Sequence, residues 1–214
     1  MCKKSVLTLI VVSSLFVVIA PLQATLHSYP LVIFNDATLA DDPSLSFYVD
    51  VIDAGTGKVD FEFHNTSKMD STIARVYFDD LDDGLLADFA DTPNNPDNGP
   101  GTIFHWDATP GNLPAGHPLT PSFDADFSAG ADPSPAQNGI DPFEWVKITF
   151  DIESGHAFSD VINQMNDGTM RIGAHIISVG REEVSVSAVT PEPATIILLG
   201  LGALSLLRKR SVSK

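Results

Sequence analysis

The strongest constraint on the fold is a strict period-two alternation in the first half of the chain. Leu45, Phe47, Val49 and Val51 are interleaved with Ser46, Tyr48 and Asp50, and Val59, Phe61 and Phe63 with Asp60, Glu62 and His64. Successive side chains of an extended strand point to opposite faces, so each run collects its apolar residues on one side. Gly55-Thr56-Gly57-Lys58 between the runs has the composition of a turn. The pattern predicts an antiparallel hairpin, buried on one face and wet on the other. Residues 73–78 continue it, with Ala74, Val76 and Phe78 on one face, and further strands are expected at 31–34, 103–106, 144–150, 170–179 and 184–188. Eight short strands separated by Gly, Pro and Asp turns predict a mainly all-β domain, an antiparallel β-sandwich. One short helix is expected across an end of it, where Phe158, Val161, Ile162 and Met165 recur at helical spacing ahead of Asn166-Asp167-Gly168.

Two stretches break the strand pattern. Residues 91–101 are mostly Pro, Asn, Asp and Gly, and residues 107–142 carry seven prolines in 36 positions. Loops this long inside a domain are usually functional or mobile. The second keeps Leu113, Leu119, Phe123 and Phe127, so it is expected to be an excursion pinned to the domain by its phenylalanines rather than a linker.

The ends of the chain have a different character. Lys3 and Lys4 precede an apolar stretch over 6–20, and small Ala24 follows, the layout of a secretory signal peptide over 1–24 with cleavage before Thr25. At the other end, Thr190-Pro191-Glu192-Pro193 precedes an uncharged apolar run over 194–207, then Arg208-Lys209-Arg210 within a basic tail over 208–214. Fourteen residues span about 21 Å as a helix against a hydrocarbon core of roughly 30 Å, and long basic side chains reaching to the headgroups shorten the deficit. The basic cluster stays cytoplasmic. The expected organisation is therefore a signal peptide, an exported β-sandwich over 25–189, and a C-terminal transmembrane helix in a segment over 190–214.

Taken together, Pro191-Glu192-Pro193, the apolar run and the basic tail resemble the PEP-CTERM sorting signal of exported bacterial proteins. The resemblance implies an exosortase as partner, an integral membrane cysteine transpeptidase that cuts near the motif, with Pro191, Glu192 and Pro193 as its recognition site. The residue before the first proline is often Val in that class and is Thr190 here. The resemblance also implies transient membrane anchoring and delivery to the cell surface or extracellular matrix of a Gram-negative bacterium that makes exopolysaccharide and biofilm. A second, looser resemblance to exported PEP-CTERM proteins covers Ser134-Pro135-Ala136-Gln137-Asn138-Gly139-Ile140-Asp141-Pro142, Glu144-Trp145, Ile148-Thr149-Phe150-Asp151 and Arg171-Ile172-Gly173-Ala174-His175, with Phe143 at a position where Gly is expected and no catalytic role implied.

Charge narrows the partners. Of the 28 acidic residues only Glu192 lies outside 25–189, whereas six of the 12 basic residues do, which leaves the exported body with 27 acids against six bases. A surface of that sign repels nucleic acid and favours solubility and divalent cations. The single cysteine, Cys2, falls in the signal peptide, so the exported body has no disulfide or thiol chemistry.

No strong catalytic motif is present: G-x-S-x-G, P-loop and G-x-G-x-x-G patterns are all missing, and no two of the six histidines have zinc-pair spacing. The run Asp79-Asp80-Leu81-Asp82-Asp83-Gly84 invites a low-affinity calcium site on Asp79, Asp80, Asp82 and Asp83, although Leu81 interrupts the EF-hand pattern and a plain acidic turn explains it equally. No other cofactor is implied. Three function classes stay open. The first is a non-catalytic surface or matrix protein facing exopolysaccharide or other surface proteins. The second is a carbohydrate-binding module stacking sugars on Trp106, Trp145 and Tyr77. The third is a secreted carbohydrate-active enzyme drawing two carboxylates from Glu62, Glu144 and Glu153. The first is expected, and with it no enzymatic activity.

Overall fold

A computed structural model describes residues 25–80 and 84–191. The expected signal peptide, Asp82 and Asp83 of the acidic run, and everything from Glu192 onward, with the expected transmembrane helix and basic tail, lie outside the described residues. In chain order the elements are β1 (Leu26–Pro30), β2 (Val32–Ile33), α1 (Ala37–Ala40), β3 (Phe47–Gly55), β4 (Lys58–Asn65), β5 (Thr72–Asp80), β6 (Leu86–Phe89) and β7 (Asp97–Asn98). They continue with β8 (Phe104–Trp106), β9 (Phe127–Ala131), α2 (Pro135–Asn138), β10 (Trp145–Ile152), α3 (Phe158–Asp167), β11 (Met170–Val179) and β12 (Val184–Val189).

The strands form two antiparallel sheets. The first has the order β1-β3-β4-β10-β6, with β7 also on β10, and the second β2-β12-β11-β5-β9-β8. The alternating hairpin is β3 and β4, paired from Phe47 with Asn65 to Gly55 with Lys58 around Gly55 and Gly57, both at positive φ. Val49, Val51, Val59, Phe61 and Phe63 are fully buried between the sheets. The sheets meet on Phe78 of β5, which contacts Phe61, Phe63 and Phe150 edge-on at ring separations of 5.1, 5.8 and 4.7 Å. Such pairs add roughly 0.5–1.5 kcal/mol each beyond area burial.

Three features differ from the sequence expectation. The inner face of β5 carries Ile73, Val76 and Phe78 rather than Ala74, because the pairing with β11 shifts register between His175 and Ile176 and moves the alternation by one residue. The stretch over 107–142 contains β9, inserted between β5 and β8, and the single-turn α2, so its long irregular part runs from Asp107 to Asp126. In place of one helix across an end of the sandwich there are, among the described residues, three, two of them single turns of four residues. The third, α3, is the expected one. It buries Val161, Ile162 and Met165, its first turn is closed by the Asp160 carboxylate accepting the Ala157 N–H at 2.8 Å, and Gly168 ends it at φ 83°. Among the described residues no helix is long and apolar enough to cross a membrane.

Candidate functional site

The outer face of the second sheet is the most elaborated part of the molecule. Tyr77, Asp79, Arg171 and Gly173 point away from the inter-sheet core, and residues 107–126 lie over them. Leu113 and Phe123 are buried against Tyr77 and come so close to Gly173 that a methyl group there would sit 2.9 Å from Leu113 and 3.1 Å from Phe123. Asn112 ties the two arms of the loop together. Its Oδ1 accepts the N–H groups of Leu113 and Ala125 at 2.8 and 3.2 Å, and its Nδ2 donates to the Phe123 carbonyl at 3.2 Å.

A buried ion pair fastens this cover. Arg171 and Asp79 face each other across β11 and β5, each side chain 2% exposed, and the guanidinium donates to Asp79 Oδ2. The same guanidinium donates to the carbonyls of Pro121 and Ser122 at 2.7 and 2.8 Å and lies 5.3 Å from the Phe123 ring centre. Asp79 Oδ2 also accepts the Asp124 N–H at 3.1 Å. Burial raises the Asp79 carboxyl above its ordinary pKa, against the downward pull of the Asp124 N–H and of Arg171. Burial likewise pushes the Tyr77 phenol up to about 12, and its hydroxyl donates to the Pro110 carbonyl at 3.2 Å.

The acidic run is thus divided by the fold. Asp79 points into the covered face, on Arg171, and Asp80 accepts the N–H groups of Leu85 and Leu86 through Oδ2. Among the described residues no group of three or more His, Cys, Asp or Glu side chains is placed to hold a metal ion.

The aromatic residues singled out for sugar stacking are dispersed. Tyr77 is fully buried under the loop, Trp106 stacks on Phe89 at the edge of the inter-sheet core, and Trp145 lies half-buried on the outer face of the first sheet over Gly99. Trp145 pairs with His64, which stacks on Tyr48 at 4.6 Å with Asp50 and Glu62 beside it at 3.6 and 3.1 Å. Glu144 accepts the Asp141 N–H at 2.9 Å, a turn-closing contact, and Glu153 is exposed. Phe143, between Asp141 and Glu144, has φ 73° and is 78% exposed, the geometry for which glycine was expected.

The chain leaves the domain beside the covered face. β12 pairs with β11 from Val184 to Val189 and with β2 at Ala188 and Val189. Thr190 continues the pairing: its N–H donates to the Ile172 carbonyl at 2.9 Å, its Oγ1 accepts the Ile172 N–H at 3.0 Å, and it is 5% exposed. Pro191 follows at the rim of a cavity of about 250 Å³ lined by Val32, Phe34, Leu119, Arg171 and Val189. Residues 189–211 match the family of the PEP-CTERM protein-sorting motif. The chain therefore carries this sorting motif directly behind its last strand, and Pro191, the first proline of the predicted recognition site, is part of the described surface. Glu192, Pro193, Arg208, Lys209 and Arg210 fall within the matched segment and outside the described residues. No curated protein and no solved structure is similar enough to the chain to match it.

Sequence reasoning did not find the Arg171–Asp79 pair or the Thr190 clamp. Signals were present: Arg171 is the single Arg or Lys in the mostly apolar β11, and Asp79 lies next to the end of β5, which pairs with it. A lone cation inside a buried strand requires an anion opposite.

Proposed function

We propose that the chain is an exported protein sorted by an exosortase-type membrane transpeptidase and delivered to the cell surface or extracellular matrix. Its domain serves there as a non-catalytic, acidic β-sandwich. The observation that carries this reading is the match of residues 189–211 to the PEP-CTERM protein-sorting motif. Its sequence context supports it further, since an uncharged apolar run and Arg208-Lys209-Arg210 follow Pro191-Glu192-Pro193 and would hold the precursor in the membrane until processing. The acidic body suits a hydrated, cation-rich matrix, with exopolysaccharide or other surface proteins as partners. The arrangement of the rings gives less support to a carbohydrate-binding module, because Tyr77 and Trp106 are occupied in packing.

Replacing Pro191, Glu192 and Pro193 together by alanine in the full chain tests this reading. The precursor should then accumulate in the membrane fraction of a host that has the transpeptidase. Unchanged processing and release would contradict recognition through the motif.

A further inference from the structure

The domain and the sorting motif are fused without a spacer. Val189 is at once the last residue of β12 and the first residue of the matched segment. Thr190 is held to Ile172 by two hydrogen bonds, one from its backbone N–H and one to its side chain, and is almost entirely buried. Pro191 borders the same cavity as Phe34 and Leu119. A cleft that cuts a polypeptide takes the substrate as an extended strand and uses backbone groups on both sides of the scissile bond. Thr190 has already committed its N–H and its hydroxyl to the sheet, so it cannot serve β11 and an enzyme cleft together.

We infer that the pairing of Thr190 with Ile172 gates processing of this chain: the transpeptidase acts only on molecules in which the end of β12 has come away from β11. Thr190 is in this sense a positioning residue, and the inference rests on the sorting reading above. In the gated step the enzyme's cysteine thiolate adds to a backbone carbonyl near the motif and the peptide C–N bond breaks. The C-terminal fragment leaves as an amine, carrying the proton given up by the thiol, and water or an amine then releases the domain from the thioester. A folded domain keeps Thr190, at the entry to the motif, on β11, and local opening of this last pair sets the rate, since strand ends open far more readily than the whole domain.

The test separates clamp from motif in the full-length precursor. Inserting Gly-Ser-Gly-Thr between Thr190 and Pro191 keeps Thr190 on Ile172 and keeps Thr-Pro-Glu-Pro intact, but places the recognition site on a free spacer. Processing is followed by pulse-chase in hosts with and without the transpeptidase, and the melting temperature of the released domain is compared. The expected result is faster enzyme-dependent processing of the insertion variant, by about ten- to thirtyfold for two hydrogen bonds of ordinary net strength, with the melting temperature unchanged. Thr190→Ser, which keeps an acceptor hydroxyl, should process at the original rate. Equal or slower processing of the insertion variant would overturn the gate while leaving the sorting reading intact. Absence of enzyme-dependent processing in every variant would overturn that reading and the gate with it.

Discussion

The first sheet turns a face of Tyr48, Asp50, Glu62, His64, Trp145 and Lys147 to water, whereas the corresponding face of the second sheet lies under residues 107–126 and holds an Arg–Asp pair almost without solvent. The burial of β4 and β10 alternates residue by residue; β5 is buried at every residue but Arg75, and β11 without a break from Met170 to Ala174. The same chain therefore contains a half-wet sheet, whose polar face needs only local pairs, and a sheet enclosed on both sides, whose outward polar groups must find partners within the protein. That difference places the binding energy of the loop, and the exit of the chain at Thr190, on the second sheet.

The largest effect that would break the comparison is at the two ion pairs. Arg171→Leu should destabilise the domain by about 3–5 kcal/mol in urea unfolding, because Asp79 is left as a buried charge without its counter-ion, and should expose residues 107–126 to proteolysis. The matching change on the first sheet, Lys58→Ala, removes a pair with Asp151 whose side chains are 29% and 42% exposed, and should cost less than about 1 kcal/mol. Equal effects at the two sites would mean that the loop does not seal the second sheet.

A smaller effect isolates packing from charge. Gly173→Ala pushes a methyl group into Leu113 and Phe123, so it should cost about 1–3 kcal/mol, and Gly173→Ala combined with Leu113→Ala should cost less than the sum of the two single changes. On the open side, Phe143→Gly should stabilise by about 1 kcal/mol, because an exposed ring gives up little packing while the left-handed backbone at φ 73° is relieved. No gain would show that the Phe143 ring makes stabilising contacts despite its exposure.

The smallest expected effect is a pH dependence on the covered sheet. His175, beside Arg75 on β5, is held below its ordinary pKa by burial and by that guanidinium, against a backbone hydrogen bond at Val186. The neutral form is favoured in the folded state. Its contribution is therefore complete above the unfolded value of about 6.5 and is lost as pH falls through that value toward the lowered folded one. Asp79, raised by burial, works in the opposite direction: its contribution is complete below the ordinary carboxyl range and falls as pH rises through the raised value. His175→Gln should flatten the loss of stability between neutral and mildly acidic pH measured by thermal unfolding. An unchanged pH profile would place the sensitivity elsewhere.

The contrast between the sheets also explains what the sequence made legible. β3, β4 and β10 were readable because one wet face leaves polar residues at every second position. The helix over Phe158–Asp167 was readable from its apolar spacing and Gly168. The sequence β9, Phe-Ser-Ala-Gly-Ala, carries almost no strand signal, since Gly130 is required where a methyl group would approach Ala108 and Arg75 to 3.2 Å. The bulge that exchanges Ala74 for Ile73 depends on pairing with β11, a strand about 100 positions later, and no local pattern reports it. At the exit, the sorting motif was readable as three unlike elements in order. The clamp on Thr190 was not, because its partners are the backbone groups of Ile172.

Export of this domain and its sorting through the motif behind β12 stand as one proposal. It is tested most directly by the intact mass of the mature protein, purified from a host with the transpeptidase and from one without it. The account predicts a species beginning at Thr25 in both, shortened at the C-terminal side near Pro191 only where the enzyme is present. A C-terminal segment retained at full length in both hosts would contradict it.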